Sequence, residues 1–326
     1  MSANAVDFKA VILAGGSGER FWPLSTPERP KQFLRVFGGE SLIRQSVSRL
    51  GDLAKPGNIF VITSKALVAA TRRELPQIPA ANIIGEPDRR DTGAAVALGT
   101  GIAGDGVLGF FSSDQLVANP VRFRAAVKRA IAVSRRKKSI VTIGIKPTCP
   151  SEAFGYVDPA TGKFVEKPDT ARAKKYLAKG YLWNAGMFIG ETETFRRAFA
   201  AHAPELSRLA SNPPKSLART YAALPRISFD YAVMEKLSKV AVVPGDFGWD
   251  DVGGFGAFDK YFPHDSRGNV REGPCTVVEA DDNICVARSA RISLLGVKGL
   301  VVVTTPDSVL VASKSRISEM KKLFKK

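Results

Sequence analysis

Apolar runs alternate with amphipathic stretches along the first half of the chain. Short apolar runs bounded by polar or glycine residues predict buried strands, and the longer stretches between them predict helices. The predicted strands cover residues 9–14, 58–63, 82–84, 106–111 and 139–144. The predicted helices lie near residues 40–50, 66–75, 92–103 and 120–136. Strands that alternate with helices favour a doubly wound, mostly parallel, Rossmann-like α/β domain.

The pattern changes after Pro147. A hairpin is predicted to turn at residues 159–162, and helices are predicted near residues 169–179, 191–201 and 228–237. Further on, short β-rich runs such as "CTVVEA" and "LVVVTT" are separated by Gly, Asn and Asp. We therefore expect a large α/β domain over residues 1–264. A small β-rich domain over residues 265–326 should follow and end in a short basic helix.

The amino-acid composition indicates the general class of protein. With 44% hydrophobic and 24% charged residues, the 326-residue chain is typical of a soluble globular protein. The N-terminal "MSANAVDFKA" lacks the pattern of a signal peptide, and no apolar run reaches about 18 residues. We expect a cytoplasmic protein that does not contact a membrane.

Cysteine, histidine and charge exclude several classes of site. Three cysteines without a C-x-x-C pair argue against a disulfide framework or a zinc site, and two histidines argue against a histidine-rich metal site. The net charge of +17 is concentrated in "KRAIAVSRRKK" and "KKLFKK", which look like exposed helix ends. Only this charge favours nucleic acid, since no platform of interleaved aromatic residues appears in the basic runs. Small anionic substrates fit the charge equally well.

The stretch "VILAGGSGERFWPLSTPERPKQF" joins a buried strand to a loop rich in glycine and cations. It matches neither the P-loop nor the complete dinucleotide fingerprint. Gly15, Gly16 and Gly18 would let a polyphosphate approach the backbone, and Arg20 and Lys31 would add positive charge. A phosphate site is our interpretation, and the alternative is a glycine turn with surface cations.

Carboxylates at strand ends suggest a cation site. Asp114 ends a predicted strand in "FFSSDQ", where it could hold Mg2+ or cap a helix. Asp250 and Asp251 follow in a glycine-rich turn, "GWDDVGG", and could supply a second carboxylate. Spacing alone leaves open whether these groups meet.

Two further segments place polar residues among apolar ones. Glu166 and Lys167 end a strand in "FVEKP", and Asn184 lies within the apolar strand of "YLWNAGMF". Burying the amide of Asn184 without a partner would be costly. It therefore meets either backbone groups or a ligand, and the sequence leaves both open.

The order of these motifs resembles that of a known family. The glycine loop with "PKQF", then "EPDRRDT", "SSDQ", "GIKPTCPSEAFGYV", "FVEKPD", "YLWNAGMF", "SFDYAVMEK" and "VVPGDFGWDDVGG" appear as they do in sugar-phosphate nucleotidylyltransferases. The resemblance is closest to short bacterial mannose-1-phosphate guanylyltransferases and covers essentially the whole chain, with the tail implied to be β-helix-like. It implies transfer from GTP to α-D-mannose 1-phosphate, giving GDP-mannose and pyrophosphate, with Mg2+ or another divalent cation as cofactor and a homodimer as assembly. No isomerase domain is expected.

The resemblance also implies the site residues. Nucleotide binding is implied for Ala14, Gly15, Gly16, Ser17, Gly18, Glu86, Asp91 and Thr92. Catalytic roles are implied for Arg20, Lys31 and Lys167, sugar binding for Gly155, Glu166 and Asn184, and metal binding for Asp114 and Asp251.

The chain departs from the family pattern at several of these motifs. Glu19 replaces the usual threonine beside the phosphate loop, Asp91 replaces asparagine in the base-reading loop, and Gln115 replaces the histidine after Asp114. Asp250 stands where relatives usually have serine. We expect Asp91 to accept hydrogen bonds from guanine. The alternatives are another nucleotide, another hexose or heptose 1-phosphate, or a non-catalytic subunit that binds sugar nucleotides.

Overall fold

The computed structural model describes residues 7–16 and 18–324. The strands of the first 250 residues are β1 (Phe8–Ala14), β2 (Ile59–Ser64), β3 (Ile83–Glu86), β4 (Val107–Ser112), β5 (Leu116–Val117), β6 (Val141–Ile145), β7 (Tyr156–Val157), β8 (Phe164–Val165), β9 (Leu182–Glu191), β10 (Ala241–Gly245) and β11 (Trp249–Asp250). Every strand predicted in the first half of the chain is confirmed within two residues.

The main sheet has the order β10-β6-β9-β4-β1-β2-β3, with β7 and β8 attached beside β9. Only β9 in this path runs antiparallel to its neighbours, β4 and β6. The hairpin predicted after Pro147 is the antiparallel β7/β8 pair. This topology confirms the mostly parallel, Rossmann-like sheet, and it brings the carboxyl ends of β1, β4 and β6 to the same edge.

The helices are α1 (Leu42–Ser48), α2 (Val68–Glu74), α3 (Asp91–Ala103), α4 (Pro120–Lys137), α5 (Thr170–Ala178), α6 (Thr192–His202), α7 (Pro204–Ser211), α8 (Leu217–Ala222), α9 (Phe229–Ala232) and α10 (Gly256–Tyr261). In the part of the chain that the structure describes, no helix combines the length and the apolar character that a bilayer crossing requires.

Helix α4 shows why the positive charge is concentrated where it is. Its apolar face buries Phe123, Val127 and Ile131, while its last turn is basic and exposed. Cations in the last turn complement the helix dipole, and the side chain of Asn119 caps the first turn. The basic run is therefore the solvated end of a helix, as predicted.

Helix α3 consists of small residues because its neighbours come very close. A Cβ atom on Gly99 would lie 2.8 Å from the Phe110 ring, and one on Gly101 would lie 2.3 Å from the carbonyl oxygen of Leu209. The helix packs between the sheet and α7 in the main hydrophobic core. Larger side chains would force these layers apart.

The helix predicted over residues 228–237 is wrong in its extent. The α-helix ends at Ala232, and a 3₁₀ turn follows over Met234–Lys236. Val233 leaves the helical region with φ −129° and ψ −59°. Ala232, Val233 and Met234 are all fully buried, so this change of backbone conformation lies inside the hydrophobic core.

The β-rich region forms two small sheets. Its strands are β12 (Val270–Glu272), β13 (Cys275–Val278), β14 (Ile284–Ala287), β15 (Ile292–Leu295), β16 (Leu300–Thr305) and β17 (Ser308–Ser313). One sheet has the order β12-β14-β16-β17 and the other pairs β13 with β15. All pairings are parallel except β16 with β17. Parallel pairing of successive turns is typical of a β-helix.

The C-terminal helix is of the 3₁₀ type and covers Lys314–Phe324. Glu319 forms ion pairs with both Arg316 and Lys322, each three residues away. This spacing matches the three residues per turn of a 3₁₀ helix.

The chain forms two compact units. The first unit combines residues up to Gly15 with Ile43–Asp250, and the second unit combines Gly16–Leu42 with the chain from Asp251 onward. The stretch from Gly16 to Leu42 thus belongs with the C-terminal region in space, although it lies near the start of the sequence. The domain division at residue 264 stays a prediction.

Candidate functional site

The first unit brings the predicted sugar-binding residues together around Glu166, directly after β8. The Lys167 Nζ donates a hydrogen bond to Glu166 Oε1 at 2.6 Å. The side chain of Glu166 is only 6% exposed, whereas that of Lys167 is 50% exposed. A left-handed backbone at Lys167, with φ 44°, turns the chain at this point.

The second carboxylate oxygen of Glu166 is the unusual atom of this cluster. Glu166 Oε2 is buried, and it has no hydrogen-bond partner among residues 7–16 and 18–324. A Cβ atom on Gly155 would lie 2.4 Å from it, so a side chain at Gly155 would displace the carboxylate. A buried acceptor that lacks a donor is costly unless a ligand supplies one.

Asn184, on β9, meets protein groups at both ends of its amide. Its Oδ1 accepts hydrogen bonds from Thr142 Oγ1 at 2.7 Å and from the Gly186 backbone N–H at 3.1 Å. Its Nδ2 donates to Asp230 Oδ1 at 2.8 Å. These contacts answer the question of its burial that the sequence left open, and contact with a ligand stays a prediction.

Asp230, in α9, is a residue of this cluster that sequence reasoning did not single out, although "SFDYAVMEK" contains it. Burial raises the pKa of Asp230 to about 7, with repulsion from Glu166 adding to the shift and the Lys167 ammonium opposing it. Burial also raises the pKa of Glu166, although its hydrogen bond with Lys167 opposes the shift. Burial disfavours charge on Lys167, but the hydrogen bond and attraction of Glu166 outweigh it and raise the pKa of Lys167.

The predicted nucleotide side of the first unit lies at the ends of β1 and β3. A Cβ atom on Gly15 would lie 3.3 Å from Glu86 Oε2, so the two residues are close neighbours. The Tyr221 hydroxyl donates to Glu86 Oε1 at 3.2 Å. Burial raises the pKa of Glu86 to about 7, opposed by the Tyr221 hydrogen bond and reinforced by repulsion from Asp91.

The remaining nucleotide residues of this unit lie beside Glu86. Ala14 is buried at the end of β1 and accepts a hydrogen bond from Thr63 through its carbonyl oxygen. Asp91 begins α3 with φ 62°, and its carboxylate accepts from the Thr92 backbone N–H at 2.7 Å. The hydroxyl of Thr92 accepts from the Phe229 backbone N–H at 2.9 Å. Thr92 therefore links the start of α3 to α9.

Asp114 lies half-buried in the turn after β4, where Ser112 Oγ donates to its carboxylate at 2.5 Å. The buried guanidinium of Arg49 fixes this turn. It donates to the carbonyl oxygens of Gln115 at 2.8 Å and Ser112 at 2.9 Å. Burial lowers the pKa of Arg49 to about 10, against the attraction of Asp114. The sequence contained a signal for Arg49, since it lies at helical spacing from the buried Leu42 and Ser46.

Gln115, one of the departures from the family pattern, forms hydrogen bonds with other groups of the protein. Its Nε2 donates to the carbonyl oxygen of Ala185 at 3.0 Å, and its Oε1 accepts from the indole N–H of Trp249 at 3.0 Å. Trp249 and Asp250 form β11, which pairs with β5 beyond Gln115. The amide thus joins three segments of the first unit.

The second unit contains the phosphate loop beyond Gly15. Gly18 has φ 66°, and a Cβ atom there would lie 2.4 Å from the backbone nitrogen of Lys31. Lys31 is buried, and its ammonium donates to the carbonyl oxygen of Asp251 at 2.6 Å. At Gly16, no atom of the described residues outside its chain neighbours lies within 4 Å of a Cβ position. Ser17, also predicted to bind nucleotide, lies outside the described residues.

Arg20 and Asp251 lie close to the same glycine turn of the second unit. The exposed guanidinium of Arg20 donates to the carbonyl oxygen of Gly253 at 3.2 Å. A Cβ atom on Gly253 would lie 3.5 Å from Asp251 Oδ2. Val252 has φ 47°, an uncommon conformation for a β-branched residue. The backbone next to Asp251 is therefore strained.

An aromatic cluster holds the phosphate loop within the second unit. Phe21 packs against Phe255 at 5.6 Å between ring centroids, and Phe37 packs against Phe258 at 5.7 Å. Aromatic pairs at these distances contribute about 0.5–1.5 kcal/mol beyond the buried area. The loop is thus fixed by its own packing, which its pattern of glycines did not predict.

The predicted site residues therefore fall into groups. Gly155, Glu166, Lys167 and Asn184 form one cluster, Gly15 and Glu86 a second, and Gly18, Lys31 and Asp251 a third. Asp114 belongs to the first unit and Asp251 to the second, so the metal pair stays a prediction. Within residues 7–16 and 18–324, no group of three or more His, Cys, Asp or Glu side chains forms a metal cage.

Comparison with known proteins agrees with this arrangement. Residues 9–267 match the family model described as Nucleotidyl transferase. Residues 273–326 match the model described as MannoseP isomerase/GMP-like beta-helix domain. The two matches correspond to the α/β part and the β-rich part of the chain.

Several curated proteins and a solved structure are similar over nearly the whole chain. Xanthan biosynthesis protein XanB of Xanthomonas campestris pv. campestris is 34% identical, with 97% of this chain and 72% of that protein covered. Mannose-1-phosphate guanylyltransferase of Escherichia coli K12 is 32% identical, with 96% and 72% covered. A crystal structure described as mannose-1-phosphate geranyltransferase from Thermus thermophilus is 34% identical, with a TM-score of 0.88 and 98% of each chain covered.

Proposed function

Because the chain belongs to the nucleotidyl transferase family, we propose that it transfers GMP from GTP to mannose 1-phosphate, giving GDP-mannose and pyrophosphate. The relatives named mannose-1-phosphate guanylyltransferase support this choice of substrates. In the reaction, a phosphate oxygen of the sugar phosphate attacks the α-phosphorus of GTP. The bond from that phosphorus to the bridging oxygen breaks, and pyrophosphate leaves.

The observation that carries the proposal is the buried carboxylate of Glu166. One of its oxygens pairs with Lys167, and the other has no donor in the part of the chain that the structure describes. A sugar hydroxyl supplies such a donor. The half-exposed ammonium of Lys167 supplies positive charge for the sugar phosphate, and the amide of Asn184 orients the hexose. One cluster thus offers partners for a hydroxyl and for a phosphate.

In this proposal, Arg20 and Lys31 stabilise the negative charge of the triphosphate. Little covalent chemistry is asked of the protein in phosphoryl transfer, so positioning and charge stabilisation carry the catalysis. Gly15, Gly16 and Gly18 leave the loop backbone open to the phosphates. The buried ammonium of Lys31 is held by the carbonyl oxygen of Asp251, which orients it.

Asp114 and Asp251 are the residues that we propose to hold Mg2+. The fit is one of donor chemistry, since Mg2+ prefers hard oxygen ligands and usually takes one or two carboxylates beside substrate phosphates. Both side chains are half-buried, and a hydrogen bond from Ser112 holds the carboxylate of Asp114. The ion would neutralise part of the charge on the phosphates.

Glu86 and Asp91 are our candidates for reading the base. Guanine presents two neighbouring N–H donors, and an ionised carboxylate accepts both. Glu86 lies buried beside Gly15, and Asp91 lies exposed at the start of α3. Thr92 and Ala14 complete this side of the proposed nucleotide site.

The test is pyrophosphate release with Mg2+, mannose 1-phosphate and each of GTP, ATP, UTP and CTP in turn, with mass detection of the sugar nucleotide. Release with GTP alone supports the full proposal. Release with another nucleotide keeps the reaction and changes the base. Nucleotide binding without release from any of several hexose or heptose 1-phosphates would contradict an enzymatic role.

We also propose that the protein is a homodimer that uses the outer face of β17. Val309 and Val311 on this strand are each 63% exposed, and among the described residues β17 pairs only with β16. Exposed apolar side chains on an edge strand favour pairing with a second copy. Light scattering should give a dimer for the native protein and a monomer for Val309→Lys/Val311→Lys, and a native monomer would contradict this assembly.

A further inference from the structure

Asp230 faces the side chains that the proposed function assigns to the sugar. It accepts a hydrogen bond from Asn184 Nδ2 at 2.8 Å, across 46 residues of sequence. Its charge also interacts with those of Lys167 and Glu166. The short helix α9 is capped by Ser228, whose hydroxyl accepts from the Tyr231 N–H at 3.3 Å. The helix therefore presents Asp230 from a fixed backbone.

The contact with Asn184 determines the orientation of a planar amide. Thr142 and Gly186 both donate to Asn184 Oδ1, so the oxygen end is identified by two donors. Asp230 identifies the nitrogen end by accepting one of its two N–H groups. Since the amide is planar, the direction of the second N–H is then determined as well.

Asp230 also attracts Lys167 through charge. Lys167 Nζ is paired with Glu166 at 2.6 Å and lies 5.9 Å from the centre of the Tyr231 ring. The negative charge of Asp230 adds a second attraction on the ammonium. A long, half-exposed lysine side chain would otherwise sample several rotamers, each with a different position of its charge.

We propose that Asp230 is a positioning residue of the hexose site, which orients the Asn184 amide so that this amide, together with the Lys167 ammonium, binds a hexose 1-phosphate. The inference rests on the proposed function, because that function makes these two side chains sugar ligands. Asp230 itself acts through its neighbours.

The experiment measures the KM for mannose 1-phosphate and the KM for GTP separately, by pyrophosphate release, in Asp230→Ala and Asp230→Asn. We expect Asp230→Ala to raise the KM for mannose 1-phosphate by roughly tenfold to a hundredfold, the range for losing a hydrogen bond to a charged group. The KM for GTP should change by less than about twofold. Asp230→Asn keeps an acceptor oxygen and should recover part of the loss.

A double-mutant cycle tests whether Asp230 acts through its neighbour. If it does, Asp230→Ala should add little to the effect of Asn184→Ala, because the amide that it orients is already gone. Asp246→Ala is the matched control. Asp246 is an exposed carboxylate of the same unit that pairs with Arg122 on the surface, and its loss should leave both KM values unchanged.

Three outcomes would overturn the inference: an unchanged KM for mannose 1-phosphate in folded Asp230→Ala, an equal rise for both substrates, or full additivity with Asn184→Ala. If the native protein releases no pyrophosphate, the proposed function fails, and calorimetric binding of mannose 1-phosphate replaces KM as the readout. A native protein that binds no mannose 1-phosphate would overturn both proposals.

Discussion

The sugar-side cluster of the first unit and the phosphate loop of the second unit are built in different ways. Side chains hold the first, since Glu166, Lys167, Asn184 and Asp230 are linked by hydrogen bonds or charge. Backbone contacts, together with aromatic packing, hold the second, since Gly18 packs against the backbone of Lys31, whose ammonium in turn meets a carbonyl oxygen. A side-chain network can be tuned one residue at a time, whereas a backbone-held loop tolerates little change at its contact points.

The two regions also differ in their electrostatics. In the first unit, burial raises the pKa of Glu166 and raises the pKa values of Asp230 and Glu86 to about 7, so Asp230 and Glu86 respond to pH near neutrality. In the second unit, Arg20 is exposed, and solvent screens its interactions. We therefore expect the first unit to carry pH dependence and the second to carry the sensitivity to backbone changes.

The largest expected effect tests one carboxylate from each unit. Asp114→Ala and Asp251→Ala should each reduce kcat by at least about a hundredfold, as when a group that stabilises transition-state charge is lost. Steady-state pyrophosphate release measures this effect. Asp250→Ser is the matched control, because it changes the neighbouring residue to the one that the family usually has, and it should remain active. A near-normal rate in either alanine variant would remove that residue from the metal site.

Glu86→Gln tests whether a buried carboxyl of the first unit makes the stability of the protein depend on pH. The pKa of Glu86 is raised from 4.5 to about 7, so the folded state holds this proton more tightly than the unfolded state does. Its contribution to stability is fully present below about pH 4.5 and is lost as the pH rises through 7. Glutamine cannot ionise, so the variant should be more stable than the native protein at pH 8, by at most about 3 kcal/mol, and should lose this advantage near pH 5.

The measurement for Glu86 is the thermal midpoint of both proteins at pH 5 and pH 8. Glu205→Gln, which changes an exposed carboxylate of the same unit, should show the same difference from the native protein at both pH values. If the Glu86 variant also shows equal differences, the carboxyl does not titrate between these pH values.

Gly18→Ala and Gly155→Ala apply the same change to the two regions. At Gly18 the new methyl group would lie 2.4 Å from the backbone nitrogen of Lys31, and Gly18 has φ 66°. Neither backbone can move away easily, so the steric clash remains. We expect a loss of about 2 kcal/mol or more, seen as a fall of roughly 4–8 °C in the thermal midpoint. Gly16→Ala is the matched control in the same loop, because its new methyl group has no neighbour within 4 Å among the described residues outside the adjoining chain.

At Gly155 the methyl group instead meets the end of the Glu166 side chain, which can rotate away. Gly155→Ala should therefore raise the KM for mannose 1-phosphate by about tenfold and change the thermal midpoint little. Gly57→Ala, also open within 4 Å, controls for the substitution in the first unit. The comparison between the two regions fails if Gly155→Ala destabilises the protein as much as Gly18→Ala does.

The smallest effect is expected at Glu19, which is exposed at the start of a 3₁₀ turn beside the phosphate loop. Glu19→Thr introduces the residue usual in the family and removes a negative charge near Arg20, so activity should stay the same or rise. A collapse of activity would mean that Glu19 has a role that the family pattern does not contain.

Much of the first unit followed from local patterns. Apolar runs predicted β1, β2, β3, β4 and β6 within two residues, and the motifs singled out Glu166, Lys167 and Asn184, which the structure brings into one cluster. The helix over residues 228–237 was wrong in its extent because Val233 leaves the helical conformation, a change that the apolar pattern did not indicate. Arg49 and Asp230 were missed because their roles depend on contacts with distant segments, at 66 and 46 residues of separation.

By itself, the sequence determined which segments become strands and helices, because the period of apolar residues reports burial locally. It also determined the order of the motifs, and with it the family. Only the tertiary structure decided that Asp230 accepts a hydrogen bond from Asn184 and that Gly18 packs closely against the backbone of Lys31. It also decided that Gly16–Leu42 packs with the C-terminal region. The reason is physical. Strand order and packing decide which distant residues come into contact, and the local spacing of apolar residues carries no information about them.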